Sequence, residues 1–327
     1  LRNNPTNTAS VIQHGRVWGR YDKHHLPNYG VFDEFRHFQP GNQSLLVHVN
    51  DVPIALAVCE DIWQDGPSAA AKAAGASLLL VLNGSPYEAA KDDVRLELCQ
   101  RRAREADAHL AYVNLVGGQD ELVFDGDSLI VSPEGELIAR SPQFAEHLLI
   151  ADLELDSDRE PVASEGTTRI HLTAAPSDVR DLSTADLVSE RLDDLAERYW
   201  AIVLGLRDYV EKNGFSSVMF GMSGGIDSTL VAALAVDALG PDRVFGVSNP
   251  SAWSTEHSKS DAQDQAERLG ISLRTIPIAP IFEAYQTALN LDGVAEENLQ
   301  ARIRAVIWMG LSNQEGHVVL ACGNKSE

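Results

Sequence analysis

The segment FGMSGGIDST at residues 220–229 combines glycines, hydroxyl side chains and one acid in a pattern that suits phosphate binding. Gly224 and Gly225 let the backbone approach an anion closely, because neither residue carries a Cβ atom. Asp227 is a hard oxygen ligand of the kind that Mg²⁺ prefers. Further hydroxyl donors are available from Ser223 and Ser228. The segment contains no Gly-Lys-Ser/Thr and therefore lacks the lysine of a Walker loop, which makes it a phosphate loop of another kind.

The elements on either side of this loop favour the same interpretation. Residues 216–220 form a short apolar run typical of a strand, and residues 226–239 have helical spacing with Ala- and Leu-rich faces. A strand, a tight turn and a helix N-terminus present backbone N–H groups to an anion, and the helix dipole favours negative charge there. A glycine-rich turn that binds no ligand would have the same local structure and is the alternative.

A second candidate for chemistry is Cys59, which follows an apolar run at residues 54–58 and precedes Glu60 and Asp61. A cysteine at the end of a strand stands where a nucleophile could be presented to a substrate. The alternative is a small buried core residue, which is the usual place of a free cysteine. This segment alone favours a buried core cysteine, and only other motifs in the sequence can favour the nucleophile instead.

The elements that would position Cys59 lie in residues 1–157, where predicted strands and helices are mixed and separated by glycine turns. Strands are predicted at residues 10–12, 16–18, 44–49, 54–58, 78–82, 110–115 and 129–131, and helices at 69–76 and 94–108. This mixed order predicts an α/β domain. Residues 158–186 are polar, contain proline and glycine without a sustained period, and are predicted to be a linker.

Residues 187–327 are predicted to form a second domain. A long amphipathic helix at residues 187–211 precedes the loop, and the rest of the domain alternates strands with helices. Beyond the loop helix, strands are predicted at residues 243–247, 272–276 and 318–321, and helices at 258–269 and 303–314. This alternation predicts a doubly wound parallel sheet that binds ligands at the carboxyl ends of its strands.

The composition excludes several classes of function. The formal charge of −22 over 327 residues argues against non-specific binding of nucleic acid. No apolar run reaches the roughly 18 residues of a membrane helix, so we expect no membrane partner. Three scattered cysteines suit neither a disulfide framework nor a zinc site and favour a reducing, cytoplasmic location. The chain starts without Met and stops after an apolar strand, so we expect a piece truncated at both ends.

Two groups of motifs resemble known families. The pattern SGG-x-DS resembles the pyrophosphate loop of the ATP pyrophosphatases, which split ATP into AMP and pyrophosphate while adenylating a carbonyl oxygen. The segments KHHLPNYGVFDE, VCEDIW and NGSPYE resemble the carbon–nitrogen hydrolase (nitrilase) superfamily, whose members use a Glu–Lys–Cys triad. That resemblance implies that Cys59 is the nucleophile and Lys23 its catalytic partner. A thiolate attacks an amide carbon, and a nearby ammonium lowers the thiol pKa and stabilises the oxyanion.

The two halves together resemble one family, the glutamine-dependent NAD⁺ synthetases, from about residue 7 to residue 327. VGGQDELVFDG, ENLQARIRAVI and GNKSE add to the match. The resemblance implies a partial nitrilase-like α-β-β-α sandwich, followed by a partial Rossmann-like doubly wound domain of the adenine nucleotide alpha hydrolase type. It also implies that glutamine is hydrolysed to ammonia in the first domain. In the second domain, ATP adenylates deamido-NAD⁺, and ammonia displaces AMP to give NAD⁺.

The resemblance also implies roles for individual residues. Tyr29, Ser85 and Lys91 are expected to bind glutamine. The residues expected to bind ATP are Gly221, Met222, Ser223, Gly224, Gly225, Ile226, Asp227, Ser228 and Cys322. Asn298, Arg302 and Glu327 are expected to bind deamido-NAD⁺, and Asp227 and Glu327 to hold Mg²⁺. The family suggests a homo-oligomer that pairs through the synthetase domain.

The sequence departs from the family at several points. No glutamate precedes Glu34, so the general base of the triad is expected to lie outside this chain, and Glu34 resembles a second, supporting acid. Cys322 stands where the family usually has Thr, whose hydroxyl is the better hydrogen-bonding group. SNPSAWSTEHS stands where a Met-Pro-Ser-Arg-like run is usual, which puts adenine contacts near Asn249, Ala252 and Trp253 in doubt.

Two other readings remain. The first is another amidating or thiolating ligase on the same loop, resembling the GMP or asparagine synthetases. Those enzymes use other glutaminase domains, and the Lys23 and Cys59 pattern therefore argues against them. The second is a truncated chain that binds nucleotide without turnover.

Overall fold

The computed structural model describes residues 5–162, 166–173 and 187–323, and the chain forms two compact units. The first unit consists of Leu1–Gly117 and Val123–Arg198, and the second of Gly118–Leu122 and Tyr199–Glu327. Both units mix helices with strands, so the predicted α/β class is confirmed. Within the described residues, no helix has both the length and the apolar character that a membrane span requires.

The first unit is built on a seven-stranded sheet. In chain order its strands are β3 (Ser44–Val49), β4 (Val52–Val58), β5 (Leu78–Asn83), β6 (His109–Asn114), β9 (Leu129–Val131), β10 (Leu137–Arg140) and β11 (Thr167–Leu172). They lie in the order β10-β9-β6-β5-β4-β3-β11. Two short pairs lie outside this sheet, the hairpin of β1 (Thr8–Gln13) and β2 (Arg16–Asp22) and the pair of β7 (Val116–Gln119) and β8 (Leu122–Asp125).

The two faces of this sheet have different partners. Ala55 and Ala57 of β4 join the core that α2 (Pro67–Ala73) and α3 (Lys91–Ala106) cover. Leu45 and Val47 of β3 instead pack with Ala9 and Tyr21 of the hairpin, whereas Leu46 between them joins the helix-covered core. Successive residues of a strand point to opposite faces of the sheet, and both faces are covered here. The short helix α1 (Glu34–His37) lies between the hairpin and β3 in the sequence.

The second unit contains a four-stranded parallel sheet in the order β14-β13-β12-β15. Its strands are β12 (Val218–Gly221), β13 (Val244–Ser248), β14 (Ser272–Thr275) and β15 (Val318–Leu320). The helices are α4 (Asp194–Lys212), whose first turn belongs to the first unit, α5 (Ile226–Leu239), α6 (Glu256–Leu269), α7 (Ala279–Leu289) and α8 (Gly293–Glu315). Side chains of β12, α5 and α6 share one apolar core, so the parallel, doubly wound arrangement is confirmed in its main features.

Several elements differ from the sequence prediction, among them helix α1 and strands β7 and β8, which were not predicted. The helix predicted at residues 187–211 begins at Asp194, because the Asp193 carboxylate accepts hydrogen bonds from the N–H groups of Leu195 and Ala196 and caps it there. Helix α7 was not predicted, and α8 begins ten residues before its predicted start. Strand β11 lies inside the predicted linker. It was not predicted because the strand that it pairs with, β3, is remote in the sequence. The boundaries at residues 157 and 187 stay predictions.

Two candidate active sites

Cys59 lies at the point where β4 ends and a short 3₁₀ turn, Cys59–Ile62, begins. Its φ of 48° is in the left-handed region, which residues other than glycine rarely adopt. Backbone strain of this kind is held in place by the surrounding structure and is typical of functional positions. The thiol is 8% exposed and accepts a hydrogen bond from the backbone N–H of Gly84. The strand-end position predicted for Cys59 is therefore present, with a conformation that a plain core cysteine does not need.

Lys23 is almost completely buried and forms an ion pair with Glu34, whose Oε1 lies 2.7 Å from Nζ. Burial of a lysine is tolerated only when its charge is compensated. Glu34 begins α1 and also accepts a hydrogen bond from the Asn7 side chain at 3.2 Å. The structure therefore places Lys23 in the interior and pairs it with Glu34, the residue that resembles a supporting acid of the family.

The electrostatics of Cys59 combine opposing effects. Burial raises the pKa of the thiol above its usual value, because the thiolate is poorly solvated. The Lys23 charge and the Gly84 N–H lower this pKa, whereas the charges of Glu34 and Glu60 raise it. Burial dominates, so the thiol is protonated at rest. A nucleophilic role would therefore need a base that removes its proton when substrate is bound.

Asp61 holds this site together, a role that its position in the sequence does not indicate. Its carboxylate is completely buried and accepts four hydrogen bonds. The donors are the N–H groups of His24 and His25, the N–H of Val58, and the Tyr21 hydroxyl, all at 2.8–3.0 Å. One carboxylate thus fixes the backbone next to Lys23 and the backbone next to Cys59. Asp61 is two residues from a candidate nucleophile in the sequence, but an acid at that distance from a cysteine is too common to have indicated this role.

Tyr29 donates a hydrogen bond to Glu60, with 2.7 Å between its hydroxyl and Oε2. Burial of the hydroxyl and the neighbouring Glu60 carboxylate raise the pKa of Tyr29 to about 12. The ring itself is more than half exposed and lines a cavity of about 350 Å³ together with Glu60 and Gln64. The predicted glutamine-binding Tyr29 therefore lies beside the residue that follows Cys59.

Ser85 follows β5 and is buried, with its backbone bonded to the Asn114 side chain at 2.9 and 3.2 Å. Its carbonyl also accepts a hydrogen bond from Arg95, which is completely buried and paired with Asp125 at 2.6 Å. Arg95 thus fixes the chain between β5 and α3, a role that is not evident from the sequence. Predicted residue Lys91 begins α3, and its Nζ pairs with Glu88 at 3.4 Å.

The second site is the phosphate loop between β12 and α5. Gly224 has a φ of 83°, which a glycine adopts without strain, and Gly225 is the N-cap of α5. The Ser223 hydroxyl accepts a hydrogen bond from the Gly225 N–H and lies 3.2 Å from the Ser228 hydroxyl. The predicted strand, tight turn and helix N-terminus are confirmed.

The loop forms one wall of a cavity of about 740 Å³. The residues that line the cavity are Gly221, Met222, Ser223, Gly225, Asp227, Ser228, Val247, Ser248, Asn249, Pro250, Ser254, Ala301, Arg304, Trp308, Ala321, Cys322 and Gly323. Most predicted ATP-binding residues are among them, whereas Gly224 and Ile226 are not, and the Ile226 side chain is 79% exposed. Asn298 and Arg302 are exposed on α8 and are not among these lining residues. Glu327 lies outside the described residues.

Helix α8 closes the cavity with residues that are not among the predicted site residues. The Trp308 indole N–H donates to the Asn249 side chain at 2.6 Å, and Arg304 Nε donates to the Asn249 carbonyl at 3.2 Å. The ring of Trp308 also lies against Gly221, where an added Cβ would come within 2.2 Å of it. Asn249 therefore does belong to the cavity despite its departure from the usual family sequence. Trp253 is exposed and packs edge-on against Phe282 instead.

Asp227 and Cys322 are two of the ionisable side chains that line this cavity. Burial raises the pKa of Cys322 to about 11, and the Asp227 charge acts in the same direction, so the thiol is a neutral group. Among the described residues, no group of three or more His, Cys, Asp or Glu side chains could hold a metal ion. One carboxylate on a phosphate loop still suits Mg²⁺, which usually takes one or two carboxylates, substrate phosphates and water.

Comparison with known proteins divides the chain at a similar place. Residues 2–160 match the carbon–nitrogen hydrolase family, and residues 198–327 match the NAD synthase family. The glutamine-dependent NAD(+) synthetase of Aquifex aeolicus is 42% identical over 98% of this chain and 59% of its own length. That of Thermotoga maritima is 39% identical over the same shares. The chain thus spans less than two thirds of the length of these curated relatives.

Solved structures agree with the sequence matches. The glutamine-dependent NAD⁺ synthetase of Acinetobacter baumannii, in complex with ADP, superposes with a TM-score of 0.84 and 38% identity. That match covers 99% of this chain and 58% of the other. The Cytophaga hutchinsonii protein, at 21% identity and a TM-score of 0.71, supports the same fold. The expected pairing of a nitrilase-like domain with a Rossmann-like domain is confirmed.

Proposed function

Because the chain belongs to the glutamine-dependent NAD⁺ synthetases, we propose that it hydrolyses glutamine and uses the ammonia to amidate deamido-NAD⁺ at the expense of ATP. The observation that carries this proposal is the presence, in one chain, of two complementary sites. One presents Cys59 beside Lys23, and the other presents a nucleotide-sized cavity on the phosphate loop. A hydrolase alone would not need the second site.

In the first site, the Cys59 thiolate attacks the carboxamide carbon of glutamine. The Lys23 ammonium stabilises the oxyanion that forms, and Glu34 holds that ammonium in place. The carbon–nitrogen bond breaks as ammonia leaves with a proton from the general base, and water then hydrolyses the thioester to glutamate. Tyr29, Ser85 and Lys91 bind the substrate, with Lys91 on its α-carboxylate.

In the second site, the nicotinate carboxylate of deamido-NAD⁺ attacks the α-phosphorus of ATP and releases pyrophosphate. Ammonia then attacks the adenylated carbonyl carbon, and AMP leaves with the oxygen. The N–H groups at the start of α5 and the hydroxyls of Ser223 and Ser228 bind the phosphates. Asn298, Arg302 and Glu327 contact deamido-NAD⁺, and Cys322 contacts ATP. The Acinetobacter baumannii relative was solved with ADP, which supports an adenine nucleotide as the ligand.

We also propose that ATP is used with Mg²⁺, which Asp227 and Glu327 would hold. The ion would supply positive charge to pyrophosphate as it departs. Three free cysteines support the cytoplasmic location that the composition favours. The exposed apolar side chains of Val306 and Met309 on α8 support a homo-oligomer that pairs through the second unit. Light scattering of the purified protein measures the oligomeric state.

The decisive experiment is a substrate assay on the complete gene product, with deamido-NAD⁺, ATP, Mg²⁺ and either glutamine or ammonium. We expect NAD⁺, AMP and pyrophosphate from both nitrogen sources, and glutamate only with glutamine. Amidation of another adenylated acid, with deamido-NAD⁺ inert, would assign the chain to a different pyrophosphate-loop ligase. Nucleotide binding with neither product would leave a binding protein without turnover and would refute the proposal.

A further inference from the structure

Arg304 stands out among the residues that line the large cavity of the second unit. Among the lining residues that the structure describes, Arg304 is the single cation and Asp227 the single carboxylate. The phosphate loop itself contains no lysine or arginine, so its own contribution is limited to N–H groups and hydroxyls. A polyphosphate in this cavity would carry several negative charges, which require a counter-charge.

The hydrogen bonds of Arg304 leave its outer nitrogens available. Nε donates to the Asn249 carbonyl at 3.2 Å, and this is the one protein contact that the described part of the chain gives to the guanidinium. No described carboxylate pairs with it, and partial burial lowers the pKa of Arg304 without a compensating acid. Four other arginines of the second unit pair with acids, for example Arg274 with Glu315 at 2.6 Å and Arg268 with Asp264 at 2.8 Å. Arg302 has no described acid partner either, but it is exposed to solvent. A half-buried arginine without an acid partner suits an anionic ligand.

The surroundings of Arg304 hold it in place. The Trp308 indole, one helical turn further along α8, bonds the Asn249 side chain at 2.6 Å, and Asn249 is itself bonded to the Ile276 carbonyl at 3.0 Å. The Asn249 carbonyl is therefore fixed, and Nε bound to it is fixed as well. The Nη groups of a guanidinium oriented in this way can donate two parallel hydrogen bonds to phosphate oxygens.

We propose that Arg304 binds the phosphate oxygens of ATP in this cavity and supplies the protein cation that the phosphate loop lacks. This inference rests on the proposed function, because it takes ATP as the ligand. It adds to that function a residue outside the loop that distinguishes a nucleoside polyphosphate from the bare nucleoside. Adenosine carries no phosphate and therefore offers Arg304 no anion.

Calorimetric titration with ATP and with adenosine, at constant Mg²⁺, tests the inference in the complete gene product. In Arg304→Met we expect ATP to bind about tenfold to a hundredfold more weakly, as is typical when a charge-assisted hydrogen bond is lost. Adenosine should bind as it does to the parent protein. Arg304→Lys should recover only part of the ATP affinity, because lysine keeps the positive charge but cannot form the two parallel hydrogen bonds of a guanidinium. Arg268→Met removes an exposed arginine from α6 and should change neither affinity.

The outcomes separate the inference from the function on which it rests. A parent protein that binds ATP, with Arg304→Met binding it equally well, would overturn the inference alone. Equal weakening of ATP and adenosine in Arg304→Met would also overturn it, because the arginine would then act only by holding Asn249. A folded parent protein that binds neither ligand would overturn the proposed function and the inference together. Urea unfolding of each variant checks that the comparison is between folded proteins.

Discussion

Lys23 and Glu34 form an ion pair inside the first unit, with Nζ 2.7 Å from Oε1 and the lysine side chain only 1% exposed. The pair gives the candidate nucleophile two neighbours of opposite sign. The ammonium lowers the pKa of Cys59, and the carboxylate raises it. The rate at which the Cys59 thiol reacts should therefore change in opposite directions when Lys23 or Glu34 is replaced.

Alkylation of Cys59 should respond in opposite directions to loss of the two charges. Lys23→Met removes the charge that lowers the Cys59 pKa, so the thiolate should form at higher pH and iodoacetamide should react more slowly near neutral pH. Glu34→Gln removes a charge that raises this pKa, so alkylation should be faster. Mass spectrometry of the Cys59 peptide between about pH 6 and 10 measures both rates.

The buried Cys99 serves as the internal control in this experiment, because its pKa is raised to about 12 by burial and its labelling should stay slow in every variant. A shift in the same direction for both variants would contradict the assigned electrostatics. It would indicate that the substitutions had loosened the site.

Cys59→Ala should separate the two proposed activities. The thiol is needed only for hydrolysis of glutamine, so glutamine-dependent NAD⁺ formation should be lost while ammonium-dependent formation persists. Both rates are measured by NAD⁺ formation in the complete gene product, and Cys99→Ala is the control for a buried cysteine without a catalytic role. Parallel loss of both activities in a folded Cys59→Ala protein would refute the assignment of two sites.

Asp61→Asn should destabilise the first unit strongly. Four donors point at this carboxylate, and an amide would turn an NH₂ group towards some of them. We expect a loss of about 2 to 4 kcal/mol in the free energy of unfolding, together with slower glutamine hydrolysis. Asp65→Asn is the matched control, because Asp65 is 98% exposed and its pair with Arg102 is worth at most about 1 kcal/mol. Urea unfolding measures both, and equal values would show that Asp61 is not a positioning residue.

Asp227→Asn tests the metal-binding role. Asp227 lies in the first turn of α5, where an acid also interacts favourably with the helix dipole, by about 0.3 to 1 kcal/mol. If it holds Mg²⁺, the variant should fold normally while pyrophosphate exchange into ATP, dependent on deamido-NAD⁺, falls by several orders of magnitude. Excess Mg²⁺ should restore little of that rate. Exchange near the parent rate would leave only the dipole role.

Gly221→Ala should disturb the cavity through Trp308. The new Cβ would meet the indole at 2.2 Å and displace it from Asn249, at a cost of about 1 to 3 kcal/mol in the free energy of unfolding. Gly310→Ala is the matched control on α8, where nothing lies within 4 Å and alanine should be neutral or stabilising by up to about 1 kcal/mol. Urea unfolding and ATP titration measure the effects. Unchanged ATP affinity in Gly221→Ala would mean that the indole does not shape the binding cavity.

The sequence was sufficient for features that are local. The phosphate loop was predicted because a strand, two glycines and a helix start lie within ten consecutive residues, and the position of Cys59 was predicted because an apolar strand runs directly into it. The roles of Asp61 and Arg304 were not predicted, because their partners are distant in the sequence. Asp61 contacts residues up to 40 positions away, and Arg304 contacts Asn249, 55 positions away. An acid beside a cysteine or an arginine on a polar helix is too common to indicate such a contact. Strand β11 was not predicted for the same reason, since it is a strand through its pairing with β3, which is remote in the sequence.

The pairing of β11 with β3 also bears on the order of folding. Ser44 lies opposite Thr167 and Val49 opposite Leu172, in a parallel ladder that closes a loop of well over a hundred residues. Closing such a loop costs entropy that the new contacts repay only once both ends are in place. Strands β3 to β6 pair with close neighbours in the sequence and can form early, so β11 should dock late, onto an edge that already exists. Nascent chains that have not yet reached residue 172 would carry this edge of β3 open, and a second chain could pair with it.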